Sequence, residues 1–261
     1  MKKPILSRRA LLGMGATGAS SLLTGCDALD FLGDRDNEVR NALERANGLT
    51  YRVQRLLVGA DRLAREYAES DIRQGQRPNG STRPTTREYM SLMASGFTGY
   101  RLAVGGLVEK PGSFSLEELR NMPARTQITR HDCVEGWSTI AKWMGVPLAT
   151  VLDEVRPTPE ARFAVFHCFD NVRSAGGEVL FYGSIDLLDA RHPQTILAYD
   201  LNGAALPVPN GAPLRLRVER QLGYKMSKFI KSIELVSSFA GIQGGKGGYW
   251  EDRGYEWYAG I

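Results

Sequence analysis

From Tyr100 onward the chain is cut into short apolar runs separated by turns, which leaves no room for a long helix. Strand-like runs fall at Tyr100–Val104, Thr126–Thr129, Arg162–Phe166, Thr195–Tyr199, Leu214–Val218 and Phe229–Val236. Brief helical signals lie between them. Ser115-Leu-Glu-Glu118 is a capping box that opens one helix ahead of Pro123. Trp137, Ile140, Ala141 and Met144 recur at helical spacing and predict another, closed by Gly145 and Pro147. This irregular alternation, without repeated βαβ units, predicts an α+β domain that is mixed and β-rich. Beyond the N-terminal 26 residues no GxGxxG, P-loop or internal repeat is present, which argues against nucleotide-dependent chemistry.

The N-terminus reads as an address rather than as part of the fold. Lys2, Lys3, Arg8 and Arg9 precede an apolar, Gly/Ala-rich run from Ala10 to Gly25 that is too short for a comfortable membrane span. Ser-Arg-Arg-Ala-Leu-Leu at 7–12 has the form of a twin-arginine export signal, and Leu23-Thr24-Gly25-Cys26 that of a lipobox. Residues 1–26 are therefore expected to direct export to the periplasm. Cys26 is either the lipid-bearing first residue of the mature protein or an incidental cysteine in an ordinary signal peptide. With lipid attached, Asp27 favours anchoring at the outer face of the inner membrane. Residues 27–95 follow as a short polar tether, helical spacing over Glu38–Tyr67 divided at Gly48, and an irregular Pro/Gly/Asn-rich loop at 70–87. Residues 96–261 remain for the main domain. The net charge of +4 comes from scattered basic residues, so nucleic-acid binding is not expected.

Cys26, Cys133 and Cys168 cannot build a disulfide framework, and no CxxC or Cys/His zinc spacing occurs. The segment Arg130-His131-Asp132-Cys133-Val134-Glu135-Gly136-Trp137-Ser138 carries the most chemistry. Arg130, His131 and the N-terminus of the predicted helix after Cys133 would all favour a thiolate. A thiolate there could be a soft metal ligand or a nucleophile, and a small buried core residue is the third possibility.

Arg-x-x-Cys-Val-Glu-Gly-Trp-Ser, followed by Lys142-Trp143-x-Gly145-Val146-Pro147-Leu148, resembles the cofactor motif of the sulfite oxidase family of molybdopterin-dependent oxidoreductases. Within that family it is most similar to bacterial single-domain members related to the periplasmic methionine sulfoxide reductase catalytic subunit. The resemblance runs from about Tyr100 to Leu235. It implies a sulfite oxidase-type molybdopterin-binding domain preceded by N-terminal helices, with molybdenum–molybdopterin (Mo-MPT) as cofactor and Cys133 as the thiolate ligand to the metal. Arg130 and His131 then become candidates for tuning the metal or attracting substrate.

A pterin cofactor ends in a phosphate, so an anion site is expected as well. Asn210-Gly211-Ala212-Pro213-Leu214-Arg215 reads as a turn feeding a strand, with a guanidinium for an oxyanion. Gly223-Tyr224-Lys225-Met226-Ser227-Lys228 adds two lysines and a hydroxyl within six residues. The resemblance implies cofactor contacts at Asn210, Arg215, Met226, Ser227 and Lys228, and at His192, Asn79 and Cys168. Where the family has a cofactor-contacting threonine this chain has Cys168, whose thiol is a weaker donor.

The activity implied is two-electron oxo transfer, either S- or N-oxide reduction or sulfite-type oxidation of a small-molecule substrate. Electrons would pass through a membrane or c-type cytochrome, and the protein would be a monomer. The competing readings are a non-catalytic cofactor-binding lipoprotein and a metal-independent thiol enzyme using Cys133. The Gly- and aromatic-rich end from Gly244 to Ile261 is either a lid lining a substrate funnel or a tail packed over the domain edge.

Overall fold

The computed structural model describes residues 48–49, 51–56, 59, 61–174 and 177–261. The export signal, Cys26, the tether and the first half of the helical spacing lie outside the described residues. Gln54–Ile261 form one compact unit.

Two five-stranded sheets organise that unit among the described residues. The first has the order β2-β1-β10-β5-β6, built from β1 (Arg101–Gly106), β2 (Gly112–Ser115), β5 (Phe163–Ser174), β6 (Gly177–Asp186) and β10 (Ile230–Val236). Its β1–β10 pair is parallel, and the other pairs are antiparallel. The second runs β3-β4-β7-β8, from β3 (Arg125–Asp132), β4 (Ser138–Pro147), β7 (Ile196–Leu201) and β8 (Ala204–Ala205), with β9 (Arg215–Arg217) also paired to β7. Helices α1 (Arg87–Ala94), α2 (Leu116–Asn121), α3 (Leu148–Val155) and α4 (Leu187–Ala190) are short. The result is the expected β-rich α+β domain. No described helix is long and apolar enough to cross a membrane.

Alternation explains the core. Leu102 and Val104 of β1 are buried while Arg101 and Ala103 face out, as a half-covered strand requires. They join Phe166, Ile233 and Leu235 of the same sheet, and Val146, Leu197 and Leu216 of the other, in one core cluster. Val151, Leu152 and Val155 of α3 enter the same cluster. The capping box holds as read: Glu118 N–H donates to Ser115 Oγ at 3.0 Å, and Ser115 N–H to Glu118 Oε2 at 2.6 Å.

One predicted helix is not there, and another is shorter than expected. Trp137–Met144 was expected to be helical, but Ser138–Pro147 is strand β4, paired with β3 on one side and β7 on the other. Its apolar spacing fits both periods, but Thr139, Ala141 and Trp143 are the buried set, which is period two. Cys133 therefore precedes a strand, not a helix. Residues 51–56 are helical, but 61–67 run extended. Tyr67 N–H donates to Ile128 O at 2.9 Å, Glu66 bridges to Thr129, and the Gln194 amide brackets the Ala64 backbone at 2.7 and 3.0 Å. These partners claim backbone groups that a helix would use internally, so tertiary pairing overrides local propensity.

Gly145 sits at a register shift in the β4–β7 pairing, and a Cβ there would collide with the Leu197 carbonyl. Because the obstacle is backbone, Gly145→Ala is expected to destabilise the fold by about 1–3 kcal/mol. A lowered urea midpoint with unchanged slope would show it; an unchanged midpoint would contradict this packing.

Candidate active site

The β3–β4 hairpin places Cys133. Its N–H donates to Trp137 O at 2.9 Å and its carbonyl accepts from Gly136 N–H at 3.0 Å, closing a tight turn in which Gly136 has φ +83°. That left-handed geometry suits glycine. The half-buried thiol is pushed above its ordinary value, first by burial and then by the Glu135 carboxylate, against opposing Glu135 and Val134 N–H groups and Arg77. The expected activation by Arg130, His131 and a helix start is thus corrected. Arg130 is exposed and paired with Asp132 at 2.9 Å. His131 is buried and held neutral, well below its ordinary value, by burial and then by Arg217, Arg215 and Lys228.

Behind His131 lies a chain of buried polar contacts. Arg217 grips Glu219 through Nε at 2.9 Å and Nη2 at 2.6 Å, with both side chains fully buried. Arg217 Nη1 lies 2.9 Å from His131 Nδ1. A guanidinium only donates, so Nδ1 accepts and the ring proton sits on Nε2. The 3.3 Å approach of Met226 Sδ to the same nitrogen is then a packing contact. Nε2 is buried and has no hydrogen-bond partner. Gly223 keeps this ring in place by omission, since a Cβ there would overlap the imidazole.

The second group forms around Gly211. Arg215 donates from Nη1 to Asn210 O at 2.8 Å and from Nη2 to Asn79 Oδ1 at 3.4 Å. Lys228 Nζ donates to Asn79 O at 2.6 Å, to Pro209 O at 3.0 Å and to Ser81 O. A Cβ on Gly211 would press 3.1 Å from both Arg215 and Lys228, so the missing side chain lets the cations approach. Neither makes an ion pair with a carboxylate among the described residues. Burial first, then Arg217, pushes Arg215 down to about 9; burial, then Arg215, pushes Lys228 down to about 7. Two buried cations with no carboxylate in contact form a site that favours an anion, although Asp170 acts on Lys228 and Glu219 on Arg215, and Arg215 Nε is buried with no partner. A cofactor phosphate fits that charge and those donors.

The structure thus brings Asn79, Asn210, Arg215, Met226, Ser227 and Lys228 together with His131. Ser227 reaches Cys168, which is buried on β5 with its thiol raised by burial and by Asp170. His192 stands apart: its Nε2 lies 3.1 Å from Arg62 O and its Nδ1 accepts from Gln194 N–H at 3.2 Å. No described hydrogen bond joins it to the cluster.

Sequence reading missed Arg217, Glu219 and Trp143. The indole lies 4.4 Å from the Arg217 guanidinium and 5.0 Å from that of Arg215. The signal was present as Arg215-x-Arg217-x-Glu219, charges on alternate positions along β9 and the turn after it. Ordinarily such a face is solvated.

A cavity of about 400 Å³ adjoins the cluster, with Asn79, Lys228, Gly223 and Met226 in its wall. A family model described as the oxidoreductase molybdopterin binding domain matches residues 91–240, more than half of the chain. The chain belongs to this family. It is an oxidoreductase, and its cofactor is molybdenum carried by molybdopterin. A protein of Azospira oryzae named as a protein-methionine-sulfoxide reductase subunit, YedZ1, is 38% identical over 97% of this chain and 88% of its own length. The protein-methionine-sulfoxide reductase catalytic subunit MsrP of Xanthomonas axonopodis is 40% identical over 52% of this chain and 45% of its own length. The sulfane dehydrogenase SoxCD of Paracoccus pantotrophus aligns at 24% identity with a TM-score of 0.47, over 54% of this chain and 39% of that one.

Removing Glu219 would strand Arg217 in the interior. Glu219→Ala is expected to cost about 3–5 kcal/mol, the usual penalty for breaking a buried pair from one side. Chemical denaturation of the cofactor-free protein measures it, and a loss below about 1 kcal/mol, typical of a surface pair, would mean the pair is not buried.

Proposed function

We propose that this chain is an exported, periplasmic S-oxide reductase acting on methionine sulfoxide, with Cys133 as the protein ligand to molybdenum. The observation that carries the assignment is the buried pair Arg215 and Lys228, which makes no ion pair with a carboxylate among the described residues and whose charges act on His131, two residues before Cys133. A phosphate at that pair and a thiolate at Cys133 are the two ends that a molybdopterin needs. The names of the relatives supply the substrate.

Bound there, the cofactor supplies two-electron oxygen-atom transfer. The chain's own residues do the rest. Arg215, with Asn79 and Asn210 around it, holds the phosphate. Lys228 spends its donors on three backbone carbonyls, so it contributes charge and fixes the loop that presents Asn79. Glu219 and Arg217 fix His131 as the neutral Nε2–H tautomer. Met226 and Ser227 pack beside the cofactor, and Cys168 takes the place of a polar contact. Arg130, paired to Asp132 at the surface, acts on incoming substrate rather than on the thiolate. His192 braces the segment at Arg62 and reaches the cofactor region only through intervening chain.

Reducing a sulfoxide takes two electrons and two protons and releases water and a thioether. The relatives are named as subunits, which supports delivery of those electrons by a separate protein, for which a membrane or c-type cytochrome is suited. The twin-arginine form at 7–12 supports export, and Cys26 supports a lipid anchor. The metal-free thiol enzyme is the poorer reading, because burial raises the Cys133 thiol and so disfavours a free thiolate nucleophile.

Protein expressed with its export signal is expected to carry one molybdenum per chain and to reduce methionine sulfoxide with a reduced artificial mediator. Cys133→Ala should lose metal and turnover together, while Arg215→Ala lowers bound pterin. Undiminished turnover in metal-free protein would overturn the assignment.

A further inference from the structure

The C-terminal segment 241–261 lies beyond the residues matched by the family model, yet it is built firmly into the domain. The Lys225 ammonium and the Glu251 carboxylate pair with both side chains buried. Tyr182 Oη donates to Asp252 at 2.7 Å, Trp257 Nε1 donates to Ser184 at 2.8 Å, and Leu222 N–H donates to Ala259 O at 2.9 Å. The tail is packed against the domain, and its Tyr249 and Trp250 also line the cavity.

That lining is chemically divided. Asn79, Ser81, Asp170 and Lys228 contribute polar groups, whereas Phe181, Tyr224, Tyr249 and Trp250 contribute rings. The rings form a continuous set. Tyr249 meets Phe181 at 5.4 Å and Trp250 at 5.2 Å; Trp250 meets Tyr255 at 5.4 Å, and Tyr255 meets Tyr224 at 5.1 Å. Tyr224 and Tyr255 also line an open recess with Val134, the residue after Cys133. The aromatic face thus runs from the cavity to the rim of the Cys133 turn.

We infer that this tail-borne aromatic face, centred on Trp250, is the specificity-determining wall for the substrate's alkyl–sulfur arm. The inference rests on the S-oxide reductase reading above. A sulfoxide is a dipole with its positive end on sulfur, and ring faces carry negative charge density. A methyl and a methylene flanking that sulfur suit aromatic contact as a thioether does. The oxygen is then left pointing away from the rings. A fixed wall, rather than a mobile lid, selects by area of contact, so longer S-oxide side chains gain over small ones.

The test uses oxidised, cofactor-loaded protein without an electron donor, so that binding is measured without turnover. Calorimetric titration with N-acetyl-methionine sulfoxide methylamide and with dimethyl sulfoxide compares a long arm with a short one. Trp250→Ala is expected to weaken the capped amino acid about tenfold, roughly one lost aromatic contact with its buried area, and dimethyl sulfoxide less than about twofold. Trp250→Phe should recover most of the difference, and molybdenum content should stay at the wild-type level in both variants. With an electron donor added, the loss should appear in KM rather than kcat. Equal weakening of both ligands, unchanged binding, or loss of molybdenum would each overturn the wall. Selective binding by the wild type without turnover would instead overturn the reductase reading and leave the wall standing.

Discussion

A guanidinium with no exposure to solvent is costly, and Arg217 is tolerable only because Glu219 meets it with two parallel hydrogen bonds. Gln127, from β3, donates to the same carboxylate at 2.8 Å, and Trp143, from β4, lies over the guanidinium. The pair thereby ties three strands of the second sheet to one another. Its third contact passes the constraint to His131, whose tautomer and orientation follow from Arg217 being a donor only. From there two residues lead to the Cys133 turn. The thiol is placed by the β3–β4 turn, and the buried charge pair on β9 braces that hairpin through His131.

Arg215 and Lys228 show the opposite arrangement. Both are buried, but neither is in contact with a carboxylate among the described residues, and Asp170 and Glu219 act on them only from further away. Backbone carbonyls at Asn79, Ser81, Pro209 and Asn210 accept their hydrogen bonds without neutralising their charge. A fold built for stability alone would place an acid here. Its absence makes sense when the neutralising charge arrives with a ligand, whose binding then stabilises the folded chain. The same hydrogen bonds explain why the Pro/Gly/Asn-rich stretch 70–87 is ordered: Lys228 holds residues 79 and 81, and Gln76 caps Ile140 O at 2.8 Å.

Much of this was legible in the sequence, though unevenly. Turn punctuation marked β1, β3, β5, β7, β9 and β10, and local chemistry marked the Ser115 cap. Cys133 and the 210–228 cluster were visible because their residue types are unusual in that combination. Strand β4 was misread because its apolar residues satisfy two periods at once, and the deciding partners, β3 and β7, come from elsewhere in the chain. Residues 61–67 have good local helix propensity, yet Gln194 and β3 take their backbone groups. Arg217 and Glu219 drew no attention because nothing local reveals that alternating charges there are buried. The thiolate argument around Cys133 failed for a related reason. Side chains adjacent in sequence point to opposite faces of a strand, so Arg130 turned outward when His131 turned in.

The tail illustrates the same limit from the other end. Its glycines suggested irregularity, and the structure shows what they permit. A Cβ at Gly244 would meet the Asp252 carboxylate, and one at Gly247 the Trp257 indole, both groups that hold the segment down. Small residues there let the backbone come close enough for Asp252 and Trp257 to reach Tyr182 and Ser184 on β6. Those anchors fix Tyr249 and Trp250 between them. Irregular backbone here is consequently not a sign of mobility. It is the route by which a segment with only one short 3-10 turn, Glu251–Arg253, delivers large rings to the edge of a site whose polar half comes from Asn79, Ser81, Asp170 and Lys228.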